Sequence, residues 1–114
     1  MSDCLFCKFV RKEIPTRVVL EDDSCLAFED INPKAPVHIL IIPRKHIATL
    51  LDLEPGDGPL LSDIFRVAAE LAGAHGIAKS GFRIVVNCGE DAGQTVFHLH
   101  YHLLGGRHLS WPPG

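Results

Sequence analysis

Residues 96–104 of this chain read VFHLHYHLL, with histidines at positions 98, 100 and 102 and apolar side chains between them. Aromatic and β-branched residues in this stretch favour a β-strand. Because side chains alternate along a strand, we expect His98, His100 and His102 on one face and their apolar neighbours on the other. A polar strand face open to water would also give this pattern, but three alternating imidazoles favour chemistry on this strand.

The composition is that of a single globular domain, predicted to cover residues 1–114. The formal net charge is −3 and there is no basic stripe, so nucleic-acid binding is not expected. No charged leader precedes a long apolar stretch, and the longest apolar run, residues 39–42, is too short to span a bilayer. We therefore expect a cytoplasmic protein with reduced cysteines and no membrane partner.

Apolar periodicity predicts an α+β fold, an antiparallel sheet covered by one long helix. The long helix is expected over residues 59–75, where Leu60, Ile64, Ala68, Leu71 and His75 follow helical spacing. A short N-terminal helix is expected over residues 5–12. The predicted strands are residues 17–20, 25–28, 37–42, 82–86 and 96–104.

The alternating histidines support two chemistries, metal binding and nucleophilic attack by one imidazole. The preceding loop, Gly93-Gln94-Thr95, offers backbone amides and a hydroxyl that can surround an anion, which favours a phosphorus-containing ligand. Cys4 and Cys7 are spaced as a metal half-site, although two small buried thiols on a short helix would leave the same pattern. A redox pair is less favoured, because no strand precedes the motif.

Residues 98–104 resemble the His-x-His-x-His signature of the histidine triad superfamily, with apolar residues at each intervening position. The flanking segments resemble the Hint branch, the nucleoside phosphoramidases, and the C-terminal WPPG is specific to that branch. The resemblance implies the family's dimer-forming fold and extends from about residue 4 to the last residue. The matching flanks are residues 9–15, 26–31, 42–47, 93–95 and 111–114.

The resemblance implies hydrolysis of the P–N bond of purine nucleoside phosphoramidates, such as AMP joined to a lysine-like amine. His100 would form a nucleotidyl-histidine intermediate, and His102 and His38 would stabilise charge or transfer protons beside the phosphate. Thr95 stands where the branch commonly has serine, and its hydroxyl would lie near the leaving group. The alternatives are a dinucleoside polyphosphate hydrolase of the same superfamily and a zinc-containing regulatory module that binds nucleotides.

The resemblance also implies a nucleoside pocket. Asp30 would bind the ribose hydroxyls and Asn87 would approach the phosphate, together with Gly93, Gln94, Thr95, His100 and His102. The residues implied to line the base are Phe6, Phe9, Phe28, Ile31 and Leu40. From the residues alone, Asp30 is equally a turn former, the phenylalanines are equally core, and His38 is equally a hydrogen-bonded core histidine.

Two further features are implied by the resemblance, a structural metal site and a homodimer. In many members of the superfamily a cysteine pair joins two histidines around zinc, and the matching set here is Cys4, Cys7, His46 and His98. Some members of the branch lack the cysteines, and catalysis is expected to need no metal. In the homodimer, Trp111 of the C-terminal tail would reach the active-site rim of the other subunit.

Overall fold

The computed structural model describes residues 4–114, which form one five-stranded sheet with a helix on each face. The helices are α1 (Leu5–Val10) and α2 (Gly58–Ala74), and the strands are β1 (Val18–Glu21), β2 (Cys25–Glu29), β3 (Val37–Pro43), β4 (Phe82–Val86) and β5 (Tyr101–Gly105). Two short 3-10 turns, Leu50–Asp52 and Pro55–Asp57, lead into α2. The predicted α+β class is confirmed. Within residues 4–114, neither helix combines the length and apolar character that crossing a membrane requires.

The last strand of the chain is inserted next to the centre of the sheet. The strand order is β1-β2-β3-β5-β4, and every neighbouring pair is antiparallel. Leu40 of β3 and Val85 of β4 are the register partners of His102 on β5. His102 therefore has a paired strand on both sides, which fixes its backbone more firmly than an edge position would.

One face of the sheet packs against α2. This helix buries Ile64, Val67, Ala68 and Leu71 on a core that includes Ile39, Ile41 and Leu103 from the strands. The predicted helical spacing is therefore correct, and the helix lies within a residue of its expected bounds. His75 follows as the C-cap, where its backbone amide and its Nδ1–H both donate to the carbonyl of Leu71, at 2.9 and 3.1 Å.

The opposite face packs against α1. A second apolar cluster there joins Phe6 of α1 to Leu26 and Phe28 of β2 and to Leu40 and Ile42 of β3. The two clusters divide β3 by its period of two, because Ile39 and Ile41 belong to the α2 side. His38 and His102 alternate with the α2-side residues and therefore belong to the face that α1 covers only in part.

The first two predicted elements have shifted ends. α1 ends at Val10, because Arg11 is its C-cap and Lys12 takes a left-handed conformation with φ 62°. β1 runs to Glu21, one residue beyond its predicted end, and the turn that follows is stabilised by hydrogen bonds to the side chain of Asp22. The carboxylate of Asp22 accepts the amides of Ser24 and Cys25 at 3.0 and 2.9 Å.

The predicted strand over residues 96–104 is wrong in its first half, since β5 begins at Tyr101. Continuing the pairing of Ile41 with Tyr101 would place Leu99 opposite Pro43, which has no amide proton to donate. The Leu99 amide instead donates to the carbonyl of Ile47 at 2.6 Å. The alternation of faces nevertheless continues, because Leu99 lies in the α2 core together with Tyr101 and Leu103.

Candidate active site and metal centre

Four histidine rings lie on the α1 side of the sheet, namely those of His98, His100, His102 and His38. The ring centroids of His100 and His102 are 5.1 Å apart, and those of His102 and His38 are 5.2 Å apart. The ring of Phe6 lies beside His98 at 5.9 Å and beside His100 at 5.2 Å. The predicted placement of the three alternating histidines on one face is thus present, although only His102 belongs to a strand.

The backbone fixes the tautomer of His100. Its Nδ1 lies 2.8 Å from the carbonyl oxygen of His98, which only accepts, so Nδ1 carries the proton and donates. A neutral His100 therefore has its lone pair on Nε2. The ring is 8% exposed, so water competes little for this arrangement. A neutral imidazole with one nitrogen held in this way is what a nitrogen nucleophile requires.

A second chain of hydrogen bonds fixes His38 and His102. The amide of Lys34 donates to Nδ1 of His38 at 3.0 Å, so a neutral His38 carries its proton on Nε2. That nitrogen lies 2.9 Å from Nδ1 of His102 and 3.4 Å from a carboxylate oxygen of Asp30. His38 therefore donates to His102, and a neutral His102 in turn carries its proton on Nε2.

Burial keeps these two imidazoles neutral. It lowers the pKa of His102 to about 4, and the neighbouring His100 and His38 add to that shift. Burial also lowers the pKa of His38, although the Asp30 carboxylate opposes the change. Near neutral pH the His38–His102 pair therefore acts through oriented N–H donors and not through a fixed positive charge.

An open cleft of about 430 Å³ lies against this pair, a volume in the range of small-molecule sites. Four of the predicted site residues border it, namely Asp30, His38, Asn87 and His102. The sequence analysis missed the other lining residues, which are Asn32, Lys34, Val85, Leu104 and Pro113. The pairing of β4 with β5 would have indicated Val85 beside His102. Lys34 lies in a loop and Pro113 in the C-terminal tail, and neither segment has a periodic sequence pattern from which its position could be predicted.

The glycine-bearing loop before the histidines is held by its own hydrogen bonds. The amides of Gly93 and Gln94 donate to the carbonyls of Glu90 and Gly89 at 2.9 and 3.0 Å. The Gln94 side chain accepts the Gly89 amide and donates to the carbonyls of Ala48 and Val96. Two of the three amides predicted to surround an anion are therefore engaged inside the loop, and Gly93 and Thr95 are exposed whereas Gln94 is buried.

The residues expected around a base differ widely in their burial. Phe6, Phe28 and Leu40 are buried in the α1 cluster, and Phe9 packs against Phe28 with ring centroids 5.1 Å apart. Ile31 is 99% exposed. Asp30 is half-buried and accepts the Asn32 amide at 2.8 Å, so it is both a turn former and a cleft residue. None of the five apolar residues borders the cleft of the single chain.

The four predicted metal ligands come together from three separate segments. The donor atoms are Sγ of Cys4 and Cys7 and a ring nitrogen of His46 and His98, all within 4.8 Å of one another. Nδ1 of His98 lies 3.4 Å from Sγ of Cys4 and 3.2 Å from Nδ1 of His46. Around tetrahedral zinc, such ligands would be about 3.3–3.8 Å apart, as bond lengths of about 2.0–2.3 Å dictate. The observed spacings fit that geometry.

The surroundings of His98 also suit a ligand. Its Nε2–H donates to the carbonyl of Pro43 at 2.8 Å, which leaves the lone pair of Nδ1 directed at the two sulfurs and His46. Burial lowers the pKa of His98 to about 4, so the ring is neutral as a ligand must be. Burial, with Cys4 adding to it, raises the pKa of the Cys7 thiol. A bound cation would counter that rise.

The C-terminal tail lies along β4. Arg83 of β4 donates to the carbonyls of Ser110 and Leu109 at 3.1 and 3.4 Å, and its guanidinium lies 5.9 Å from the centre of the Trp111 ring. Apart from this contact, Trp111 is 79% exposed in the single chain. Within a single chain the tail thus brings Pro113, and not Trp111, to the cleft.

Comparison with known proteins agrees with this arrangement. The family model of the HIT domain matches residues 11–109. An uncharacterized HIT-like protein of Synechocystis sp. is 53% identical over 113 residues, which are 99% of this chain and 98% of that protein. The crystal structure of a HIT family hydrolase from Legionella pneumophila has a TM-score of 0.97 at 53% identity, over 98% of this chain and 100% of that one. A histidine triad protein from Clostridium difficile has a TM-score of 0.93 at 46% identity, over 96% of each chain. The chain therefore belongs to the HIT domain family.

Proposed function

We propose that this protein is a hydrolase that cleaves the P–N bond of purine nucleoside phosphoramidates, such as conjugates of AMP with lysine or another amine. The observation that carries the proposal is the tautomer of His100, whose proton is held by the His98 carbonyl so that Nε2 has a free lone pair. The ring of His100 lies 5.1 Å from the ring of His102, which lines the cleft together with His38. Two solved relatives, from Legionella pneumophila and Clostridium thermocellum, are named HIT family hydrolases, which supports the reaction class.

The reaction proceeds in two displacements at the same phosphorus. His100 Nε2 attacks the α-phosphorus, and the P–N bond breaks with its electron pair on the amine nitrogen. That nitrogen takes up a proton that solvent delivers through the hydroxyl of Thr95. Water then attacks the nucleotidyl-histidine, expels His100 Nε2 and releases the nucleoside monophosphate. The water proton restores the one taken up by the amine, so the net reaction adds one water to the P–N bond.

His102 and His38 stabilise the charge that develops on the phosphoryl oxygens. The proton on Nε2 of His102 is the donor for such an oxygen, and His38 keeps it there by donating to Nδ1. Asn87 of the cleft contacts the phosphate, together with the loop of Gly93, Gln94 and Thr95. Asp30 accepts the ribose hydroxyls. The base lies against Phe9 and Ile31, above the buried side chains of Phe6, Phe28 and Leu40.

The cysteine–histidine group is proposed as a structural zinc site. Cys4, Cys7, His46 and His98 fit a closed tetrahedral set, and such a set leaves no open position for a substrate. When bound, zinc would join α1 to the segment that carries His100. The phosphoryl transfer described above uses only side chains and water.

A homodimer is also part of the proposal. Within residues 4–114, β4 is an edge strand with no strand paired on its outer side, and Phe82 at its start is 38% exposed. Phe65 of α2 is 49% exposed although its ring contacts the buried Tyr101. An open strand edge beside an exposed aromatic ring favours association with a second copy of the sheet. The single domain is proposed to be the unit that dimerises.

The test is turnover of adenosine phosphoramidates by wild-type protein and by His100→Asn. We expect loss of kcat by at least about 10³-fold with purine monophosphate binding retained, because a covalent nucleophile has been removed. Rapid acid-free quenching of the wild type should trap a nucleotide bound to His100. His75→Asn, at the distant end of α2, is the control and should keep full activity.

The outcomes separate the alternatives. Binding of AMP without turnover of any phosphoramidate would support a regulatory module. Cleavage of dinucleoside polyphosphates in preference to phosphoramidates would support the other hydrolase. A His100→Asn variant with wild-type turnover would refute the nucleotidyl-histidine route.

A further inference from the structure

We propose that Arg107, which lies outside the cleft, is a positioning residue that holds the Lys34 peptide and thereby selects the tautomer of the His38–His102 pair. The hydrogen-bond chain is independent of any reaction, whereas its catalytic consequence rests on the proposed function. Arg107 is not one of the residues that line the cleft, and its connection to the histidine pair runs through hydrogen bonds and the close packing of Gly106 on Pro36.

The first link joins Arg107 to the loop before β3. Its Nε donates to the carbonyl of Lys34 at 3.0 Å and its Nη1 to the carbonyl of His108 at 3.0 Å. A planar guanidinium has donors in a fixed fork, so two carbonyls from distant segments suit it better than they suit a lysine ammonium. Arg107 thus ties the end of β5 to residue 34 across 73 positions of sequence.

The contact beside Arg107 shows that the residues after β5 pack closely against the loop before β3. Gly106 has φ +92°, and a Cβ built there would lie 2.9 Å from Cβ of Pro36, closer than real contacts allow. Next to it, Gly105 is the register partner of Val37 at the start of β3. The loop of Lys34 therefore has a fixed position relative to β5, and Arg107 is its side-chain tether.

The second link runs from Lys34 to the cleft. Its amide donates to Nδ1 of His38, so the His38 proton is on Nε2 and faces His102. If residue 34 moved away, His38 could carry its proton on Nδ1 instead. Nε2 would then become an acceptor, and His102 would have to place its own proton on Nδ1 to pair with it. His102 would then present a lone pair to a phosphoryl oxygen where the proposed mechanism needs a donor.

The hydrogen bond from the Lys34 amide to His38 also determines whether the group of Asp30, His38 and His102 can bind a metal. Donor atoms of Asp30, His38 and His102 lie within 4.8 Å of one another and resemble a metal-binding trio. A histidine that binds a metal through one nitrogen donates a proton from the other. His38 accepts a hydrogen bond at Nδ1, so its Nε2 carries a proton and cannot bind a cation. The Lys34 amide therefore favours a proton-donating pair over a metal site.

The test measures the tautomer directly. In protein labelled with ¹⁵N in histidine, long-range ¹H–¹⁵N spectra distinguish Nδ1-protonated from Nε2-protonated rings. We expect the wild type to show one tautomer of His38, protonated on Nε2. Arg107→Met keeps an unbranched aliphatic side chain but removes both donors, and should give a mixture of tautomers. With an active wild type, kcat should fall about tenfold, the factor equivalent to about 1.4 kcal/mol, while KM changes little.

Two variants complete the design. Arg107→Lys can keep one of the two hydrogen bonds and should recover part of both the tautomer and kcat, which a general loss of packing would not predict. Arg66→Met removes an exposed arginine that pairs with acids on and near α2, and should change neither readout. Circular dichroism checks that each variant is folded, and Arg107→Gln replaces Arg107→Met if the latter is not.

An unchanged His38 tautomer in the folded Arg107 variant would overturn the proposal, even if activity fell. A changed tautomer in a protein whose wild type cleaves no phosphoramidate would support the hydrogen-bond chain and refute the proposed function. The two failures are therefore distinguishable.

Discussion

Removal of the two cysteines should abolish metal binding and uncouple stability from zinc. The change is Cys4→Ser/Cys7→Ser, which replaces both sulfur ligands of the four-donor group with poorer ones. These ligands connect α1 to residues 46 and 98, which are otherwise far apart in the chain. Zinc bound at this group stabilises only the folded state, because the unfolded chain does not bring the ligands together.

The size of the effect follows from linkage. Free zinc at about 1,000 times its Kd stabilises a folded protein by about 4 kcal/mol. For a domain of this length, 1 kcal/mol corresponds to roughly 4 °C in Tm, so the wild type should lose roughly 15 °C when a chelator removes zinc. The double variant should melt at the same temperature with and without chelator. Cys88→Ser is the matched control, since this cysteine lies outside the group, and it should behave as the wild type.

The assay is elemental analysis and thermal unfolding of tag-free protein purified without chelator. We expect about one zinc per chain in the wild type and in Cys88→Ser, and none in the double variant. Cobalt in place of zinc should give the charge-transfer absorption of a thiolate-bound ion. If the wild type contains no zinc and added zinc leaves its Tm unchanged, Cys4 and Cys7 are two packed thiols on a short helix and the metal proposal fails.

Three further predictions concern pH, the tail and the edge strand. His102 has a pKa of about 4 in the fold against 6.5 for the free side chain, so the unfolded chain binds more protons between these values and stability falls as pH drops from 6.5 towards 4. Urea unfolding should therefore show a stability advantage of wild type over His102→Gln that shrinks by less than about 3 kcal/mol across this window, and a constant difference would contradict the assignment. Deletion of residues 109–114 should change the ranking of amine leaving groups more than nucleotide affinity, and Trp111 emission should respond to a substrate analogue; without either effect, leaving-group selectivity must come from Thr95 and its loop. Phe82→Glu should shift the protein from dimer to monomer in sedimentation experiments, because it puts a charge on the open strand edge, whereas an unchanged dimer would place the interface elsewhere.

The period of two in the histidine segment was sufficient to predict which side chains share a face. It was not sufficient to predict where the strand begins, because that depends on Pro43 of another strand and on the carbonyl of Ile47. The long helix was predictable to within a residue because its apolar positions repeat over four turns and its ends carry a proline and glycines.

The histidines of the candidate site could be predicted from the sequence, whereas most of the other residues that line the cleft could not. His38 could be placed on the correct face from Leu40 and Ile42, which follow it at even spacing. The Lys34 amide that sets its tautomer is a backbone group in a loop with two prolines, and no side-chain pattern reports it. Likewise, the glycine loop has a sequence typical of an anion-binding turn, but whether its amides are free depends on its internal bonds, which only the folded loop reveals.

The position of His98 has a consequence for how a metal site of this kind can be lost. Both ring nitrogens are committed, Nδ1 to the cysteine–histidine group and Nε2 to the end of β3, and the ring is fully buried. Replacing the cysteines with apolar residues would leave the Nδ1 of His46, 3.2 Å away, as the remaining partner of this nitrogen, and losing that bond as well would cost about 1–3 kcal/mol. A chain that abandons the metal must therefore keep a donor to this nitrogen, either the Nδ1–H of His46 or a hydroxyl at position 4 or 7. The loss of zinc from such a site therefore depends on the hydrogen-bond partner of His98 and not only on the removal of two thiols.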